Sequence, residues 1–183
     1  MTTTANSIVT WKIDPAHSSA EFKVKHMMIS NVKGNFHGGV NGTLIEDTSN
    51  PTLSHVEATI DISTISTGDA QRDAHLKSGD FFHHEQHPAM KFHSTRVEKK
   101  SDGEYAVTGD LTVHGVTKPV VFAVEGPSAP GKDPWGNTRI GLSATTKINR
   151  KDFDLTWNAA LETGGILVGE EVQINLEVQL IKS

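Results

Sequence analysis

Apolar residues return at every second position through most of this chain, and that period narrows the choice of fold more than any other feature. Ala20, Phe22, Val24 and His26 share one face while Glu21, Lys23 and Lys25 take the other, the pattern of a strand with one buried side. Val56, Ala58, Ile60 and Ile62 repeat it, as do Met90 and Phe92, Ile140 to Ile148, and Val172 to Leu180. Tyr105, Val107, Gly109, Leu111 and Val113 run into His114-Gly115, after which Pro119 to Val124 comes back, and this reads as a hairpin. Between Val32 and Leu44 bulky residues share the inward face with Gly34, Gly38 and Gly42. Either the strand curves there or the space above the glycines is room for a ligand.

About eight amphipathic strands, mostly sequential, predict an all-β fold whose antiparallel sheet hides a single face. Closing that sheet into a barrel removes its exposed edges, although a sandwich has the same periodicity. At 183 residues one domain is expected, as residues 11–183, behind a flexible N-terminus of residues 1–10. The exception to the alternation is Thr67 to Pro88, TGDAQRDAHLKSGDFFHHEQHP. Asp69 can cap a helix that Ser78-Gly79 ends, and Asp80 can cap a second one that Pro88 stops, so two short helices are expected near residues 69–87.

Composition excludes several chemistries. A net charge of -5 with no run of Lys or Arg argues against a nucleic-acid or anionic-membrane surface. The absence of cysteine removes disulfides, thiol catalysis and Cys-ligated zinc. The first residues lack both a basic cluster and an apolar run, no stretch is long and apolar enough for a transmembrane segment, and the expected location is cytoplasmic. His83 and His87 lie four apart, but the sequence reads H-E-x-H rather than H-E-x-x-H and Pro88 follows at once, so no metal is expected. Neither a G-x-S-x-G elbow beside His17-Ser18 nor a nucleotide-binding glycine motif occurs. Arg72 and Asp73 fit surface pairs, with Asp73 and Lys77 at the i, i+4 spacing. Alternatively Arg72, or Arg150 near Asp152, meets a ligand's polar head at a barrel mouth.

Four ordered motifs carry a resemblance that runs from Trp11 to Lys182: WKIDPAHS from Trp11, RDAHLKSGDFF from Arg72, GDLTVHGVTKPV from Gly109 and INRKDF from Ile148. The chain resembles the YceI family of lipocalin-like polyisoprenoid-binding proteins. Asp154 departs from the glycine expected there, and aspartate tolerates the left-handed turn better than most residues. The resemblance implies an extended, eight-stranded antiparallel lipocalin-like barrel around a tunnel for a long-chain isoprenoid lipid. It implies non-catalytic binding, storage or transport, with the lipid as ligand, no other cofactor, and a homodimer.

Alternation then nominates lumen residues for that ligand: Phe22, Val24, Phe36, Val40, Ile60, Phe92, Leu111, Val113, Phe122, Leu142 and Ile148, with Leu76, Phe81 and Trp157 as end or wall contacts. His17, Arg72, Asp73, His75, Arg150 and Asp152 are the candidates for head-group or structural polar roles. The competing reading is a small barrel enzyme acting on a hydrophobic substrate, with His17, Arg72, Asp73 or His75 as acid-base groups. A barrel used only as a scaffold is the third.

Overall fold

The computed structural model describes residues 7–183. Its strands are β1 (Ile8–Ile13), β2 (Ser19–His26), β3 (Ser30–Phe36), β4 (Val40–Asp47), β5 (His55–Asp61), β6 (Ile65–Ser66), β7 (Ala89–Ser101), β8 (Glu104–Val113), β9 (Val116–Glu125), β10 (Gly131–Lys132), β11 (Thr138–Asn149) and β12 (Val168–Lys182), with one α-helix, α1 (Ala70–Lys77). All ladders between these strands are antiparallel. β1 with β2, β3 with β4, and β5 with β6 each act as one long strand broken part-way. Taken so, and with the two-residue β10 left aside as an edge, eight strands form a meander that closes into a barrel. Closure is made by β12, which pairs with β11 from Arg139↔Ile181 to Asn149↔Glu171 and gives its other edge to β2 and then β1.

Each break has a local cause. Pro15 starts a 3-10 turn whose first free N–H, on Ala16, is capped by Asp14 at 3.1 Å, and proline has no donor for the ladder. Asp61 caps the second turn, Ile62–Thr64, through the Ser63 N–H at 2.8 Å. Between β3 and β4 the chain turns at His37 to Gly39, with Gly38 at φ 77°. The alternation from Val32 to Leu44 therefore belongs to two strands rather than one. β1 also begins at Ile8 because its ladder with β4 extends from Lys12↔Thr43 to Ile8↔Asp47. This corrects the flexible N-terminus for residues 8–10, whereas residues 1–6 of that expectation lie outside the described residues.

Neither reading of the inward glycines describes Gly34 or Gly42 fully, because neighbouring strands occupy the space. A Cβ on Gly34 would meet the end of the Phe22 ring, and one on Gly42 would meet the Glu57 carbonyl and stand 2.8 Å from Ala58 Cα. A ring can swing and a backbone cannot. Gly42→Ala is therefore expected to destabilise by about 3 kcal/mol and Gly34→Ala by roughly 1 kcal/mol. Denaturant titration checks the order, which reverses if the space above Gly34 is the tighter of the two.

The expected pair of helices is a single one. α1 is capped by Asp69 through the Arg72 N–H at 3.0 Å, and residues 78–87 are turns. Two features stop a second helix: the Asp80 carboxylate is taken by His75 Nε2 at 2.8 Å, and His83 sits at φ 50°, which a helix cannot accommodate. α1 buries none of its residues. What fixes it is the Leu76 carbonyl accepting from Phe82 N–H at 2.9 Å, and Asp73 accepting from the Thr67 N–H and hydroxyl at 2.8 and 2.6 Å. Asp73 thus serves Thr67 and makes no ion pair with Lys77. The segment lies between β6, which among the described residues pairs only with β3, and the start of β7, whose ladder with β5 begins at Asp61↔Ala89.

Three apolar clusters line the barrel. One gathers Trp11, Ile140, Val178 and Leu180 near the chain ends; a second Ala20, Phe36, Val40, Ile62 and Ile65; the third Leu111, Val113, Val120, Phe122, Ala144, Phe153 and Leu155. Leu176 packs against all three. On the outside, Arg139 bonds Asp14 at 2.6 Å and Asp133 at 2.7 Å, tying the Pro15 turn to the loop before β11. The guanidinium holds both carboxylates well below their usual range.

Candidate functional site

Because the inward residues of eight strands face one another, the space they leave is a single lumen. It forms a cavity of about 450 Å³, within the range of small-molecule sites. Phe22, Val24, Phe36, Val40 and Ile60 line the wall built by β2 to β5. Phe92, Leu111, Val113, Phe122, Leu142 and Ile148 line the opposite wall, where the rings of Phe92 and Phe122 meet edge to face at 5.2 Å. Leu76, Phe81 and Trp157 border the same cavity at the end carrying α1. Alternation thus brought all fourteen nominated apolar residues to one space. Among the lining residues it left out are Val172, Ile174 and Leu176 of β12, Met90 of β7 and Phe82. The first four carry the same period-two signal, while Phe82 follows Phe81 directly and has no such signature.

Arg72, His75 and Arg150 border the cavity, and His17, Asp73 and Asp152 do not. His17 pairs with Asp14 at 2.7 Å on the exposed turn between β1 and β2. Asp152 is exposed on the 3-10 turn Arg150–Phe153. Arg72 donates from Nε to the Thr67 hydroxyl at 2.8 Å and from Nη2 to the Thr67 carbonyl at 3.2 Å. The four acid-base candidates therefore do not converge on one point of the lumen. His75 instead stands in an aromatic group, its ring centroid 5.1 Å from Phe81 and 4.7 Å from Trp157.

Arg150 is 3% exposed, and its guanidinium is spent on backbone. Nε donates to the Gly169 carbonyl at 2.7 Å, Nη1 to Leu155 and Trp157 at 2.6 and 2.9 Å, and Nη2 to Val168 at 3.3 Å. Burial pulls its pKa down and Glu170 opposes that shift. The fork holds the chain on either side of the 156–167 loop, and with it Trp157 at the cavity border. Asp154 follows at φ 60°, so aspartate does take the left-handed position expected of glycine.

The histidines of HHEQH are half-buried. His87 lies over Gly115, with its ring 5.1 Å from His114 and 6.2 Å from His83. Among the described residues no group of three His, Cys, Asp or Glu is arranged to hold a metal ion.

A family model described as the YceI-like domain matches residues 11–180. The chain belongs to the YceI family. Among its relatives, a UPF0312 protein of Photorhabdus laumondii is 42% identical over 146 residues, covering 79% of this chain and 74% of that protein. The crystal structure of the Campylobacter jejuni YceI protein is similar with a TM-score of 0.71 at 32% identity, covering 88% of this chain and 91% of that one. A polyisoprenoid binding domain from Saccharophagus degradans, implicated in plant cell wall breakdown, shares the fold with a TM-score of 0.67 at 14% identity, covering 96% and 99% of the two chains. The barrel fold is thus shared with these two solved structures. Among the described residues no helix is long and apolar enough to cross a membrane.

Proposed function

We propose that this protein binds a long-chain isoprenoid lipid in its lumen, a polyprenol, an isoprenoid quinone or a related amphiphile, and stores or carries it without a chemical step. The observation that carries the reading is the lumen itself, an almost wholly apolar cavity whose few polar lining residues include Arg72 and His75 at the end carrying α1. The polyisoprenoid binding domain with the same fold supports it. The tail lies along Phe92, Phe122 and Leu176, and the head group stays beside Arg72 and His75. At about 0.8 kcal/mol per buried methylene, ten carbons are worth roughly 8 kcal/mol before ordering costs, equivalent to micromolar affinity. No charged contact is then required for binding.

A series of isoprenols of increasing length tests this. Five carbons bury enough apolar surface that each added unit is expected to tighten binding at least about tenfold, even after ordering costs. The gain stops when the lumen is full. Affinity that does not change with tail length overturns the reading.

A further inference from the structure

The turn joining β2 to β3 exposes three consecutive apolar side chains: Met27, Met28 and Ile29 are 40%, 63% and 79% exposed. It is closed by the Ile29 N–H donating to the His26 carbonyl at 3.1 Å, with Met27 at φ 52° and Met28 at φ 60°. Both central residues are left-handed, as in the hairpin turn for which Asn-Gly is the favoured pair, and methionine adopts that conformation at a cost. Neither methionine recovers the cost by burial. A surface that takes all three side chains out of water accounts for their choice.

Charge identifies that surface. From Phe22 to Ile45 the sequence has no Asp or Glu, although the chain contains 22 of them. The two strands of the hairpin carry Lys23, Lys25 and Lys33, and Lys23 stands directly opposite Lys33 in the ladder. Like charges so placed repel, and among the described residues none of the three lysines has an ion-pair partner. The overall charge of -5 conceals this local excess. The hairpin also stands at the lumen: His26 and Lys25 border the cavity together with Leu167 and Val168, and the Met27 N–H donates to the Leu167 carbonyl at 2.7 Å.

We infer that the Met27 to Ile29 tip inserts into the interface of an anionic phospholipid bilayer, with Lys23, Lys25 and Lys33 against the head groups, setting the adjacent end of the lumen on the membrane. Apolar insertion and electrostatic attraction add in such contacts. The docking stands on the hairpin and does not depend on which ligand fills the barrel.

Co-sedimentation of the full chain with vesicles of phosphatidylcholine containing phosphatidylglycerol tests it. Binding is expected to weaken at least about tenfold on pure phosphatidylcholine, and to weaken with added salt. The double substitution Met27→Asn, Met28→Gly restores the favoured turn pair, so it should raise the melting temperature while lowering vesicle binding at least about tenfold. A merely structural tip would not separate those two readouts. Isoprenol binding in vesicle-free solution stays unchanged in the variant, which keeps a failure of docking distinct from a failure of the lumen reading. Wild-type chain that ignores anionic vesicles, a variant that binds them equally well, or a wild-type dimer that the variant splits with no loss of vesicle binding overturns the proposal.

Discussion

Leu76→Asp lowers retention of an isoprenoid tail at least about a hundredfold, because an ionised carboxylate facing the lumen costs roughly 3 kcal/mol or more without a partner. Leu76 is half-buried on α1 and borders the cavity, so the barrel is expected to survive the change. Phe81→Asp acts on retention and folding together, since Phe81 is buried against Trp157 with ring centroids 5.3 Å apart. His84→Ala is the control. His84 does not border the cavity, and what its residue gives to the fold is a backbone N–H to the Lys77 carbonyl at 2.9 Å, which alanine keeps. Its effect on retention should stay within about twofold, since the change removes no lumen contact. Occupancy by native mass spectrometry with circular dichroism melts distinguishes the three. A larger loss in His84→Ala than in Leu76→Asp would move the function to the histidines.

Arg150→Ala is expected to destabilise the protein by about 3–5 kcal/mol, the scale of removing a buried charged hub and leaving its acceptors without donors. The carbonyls of Gly169, Leu155 and Trp157 each lose the bond described above, while Val168 keeps the Asn158 amide at 2.7 Å. Arg150→Lys recovers only part of this, since a compact ammonium cannot reach the separate acceptors that a planar fork reaches. Because the same fork holds Trp157, the alanine variant should also release lipid faster at temperatures where it remains folded. Urea titration and dissociation kinetics read the two effects. An Arg150→Ala protein of wild-type stability would assign the arginine to the ligand rather than to the fold.

The barrel was legible in the sequence because its walls obey one rule, and every strand that kept strict alternation lies on the lumen. The rule misled where turns interrupt it. Gly38 sits in phase with Val32 and Phe36, so only its left-handed backbone distinguishes a turn from an inward glycine. The helix start was legible in Asp69, a local cap. The end of the helical segment was not, because Asp80 could cap a following turn as readily as it bonds His75 behind it. Arg150 shows the deeper limit. Its acceptors are backbone carbonyls up to 19 residues away, and backbone acceptors leave no mark in residue identity. The lysine excess on the β2–β3 hairpin was likewise visible as residues but lost in the total charge.

The most direct test of the lumen is its content. Protein purified without detergent, measured by native mass spectrometry and then extracted with solvent, should carry one long-chain isoprenoid per barrel, and that lipid should be absent from the Leu76→Asp variant. Barrels that emerge empty and take up no added isoprenol would contradict the account.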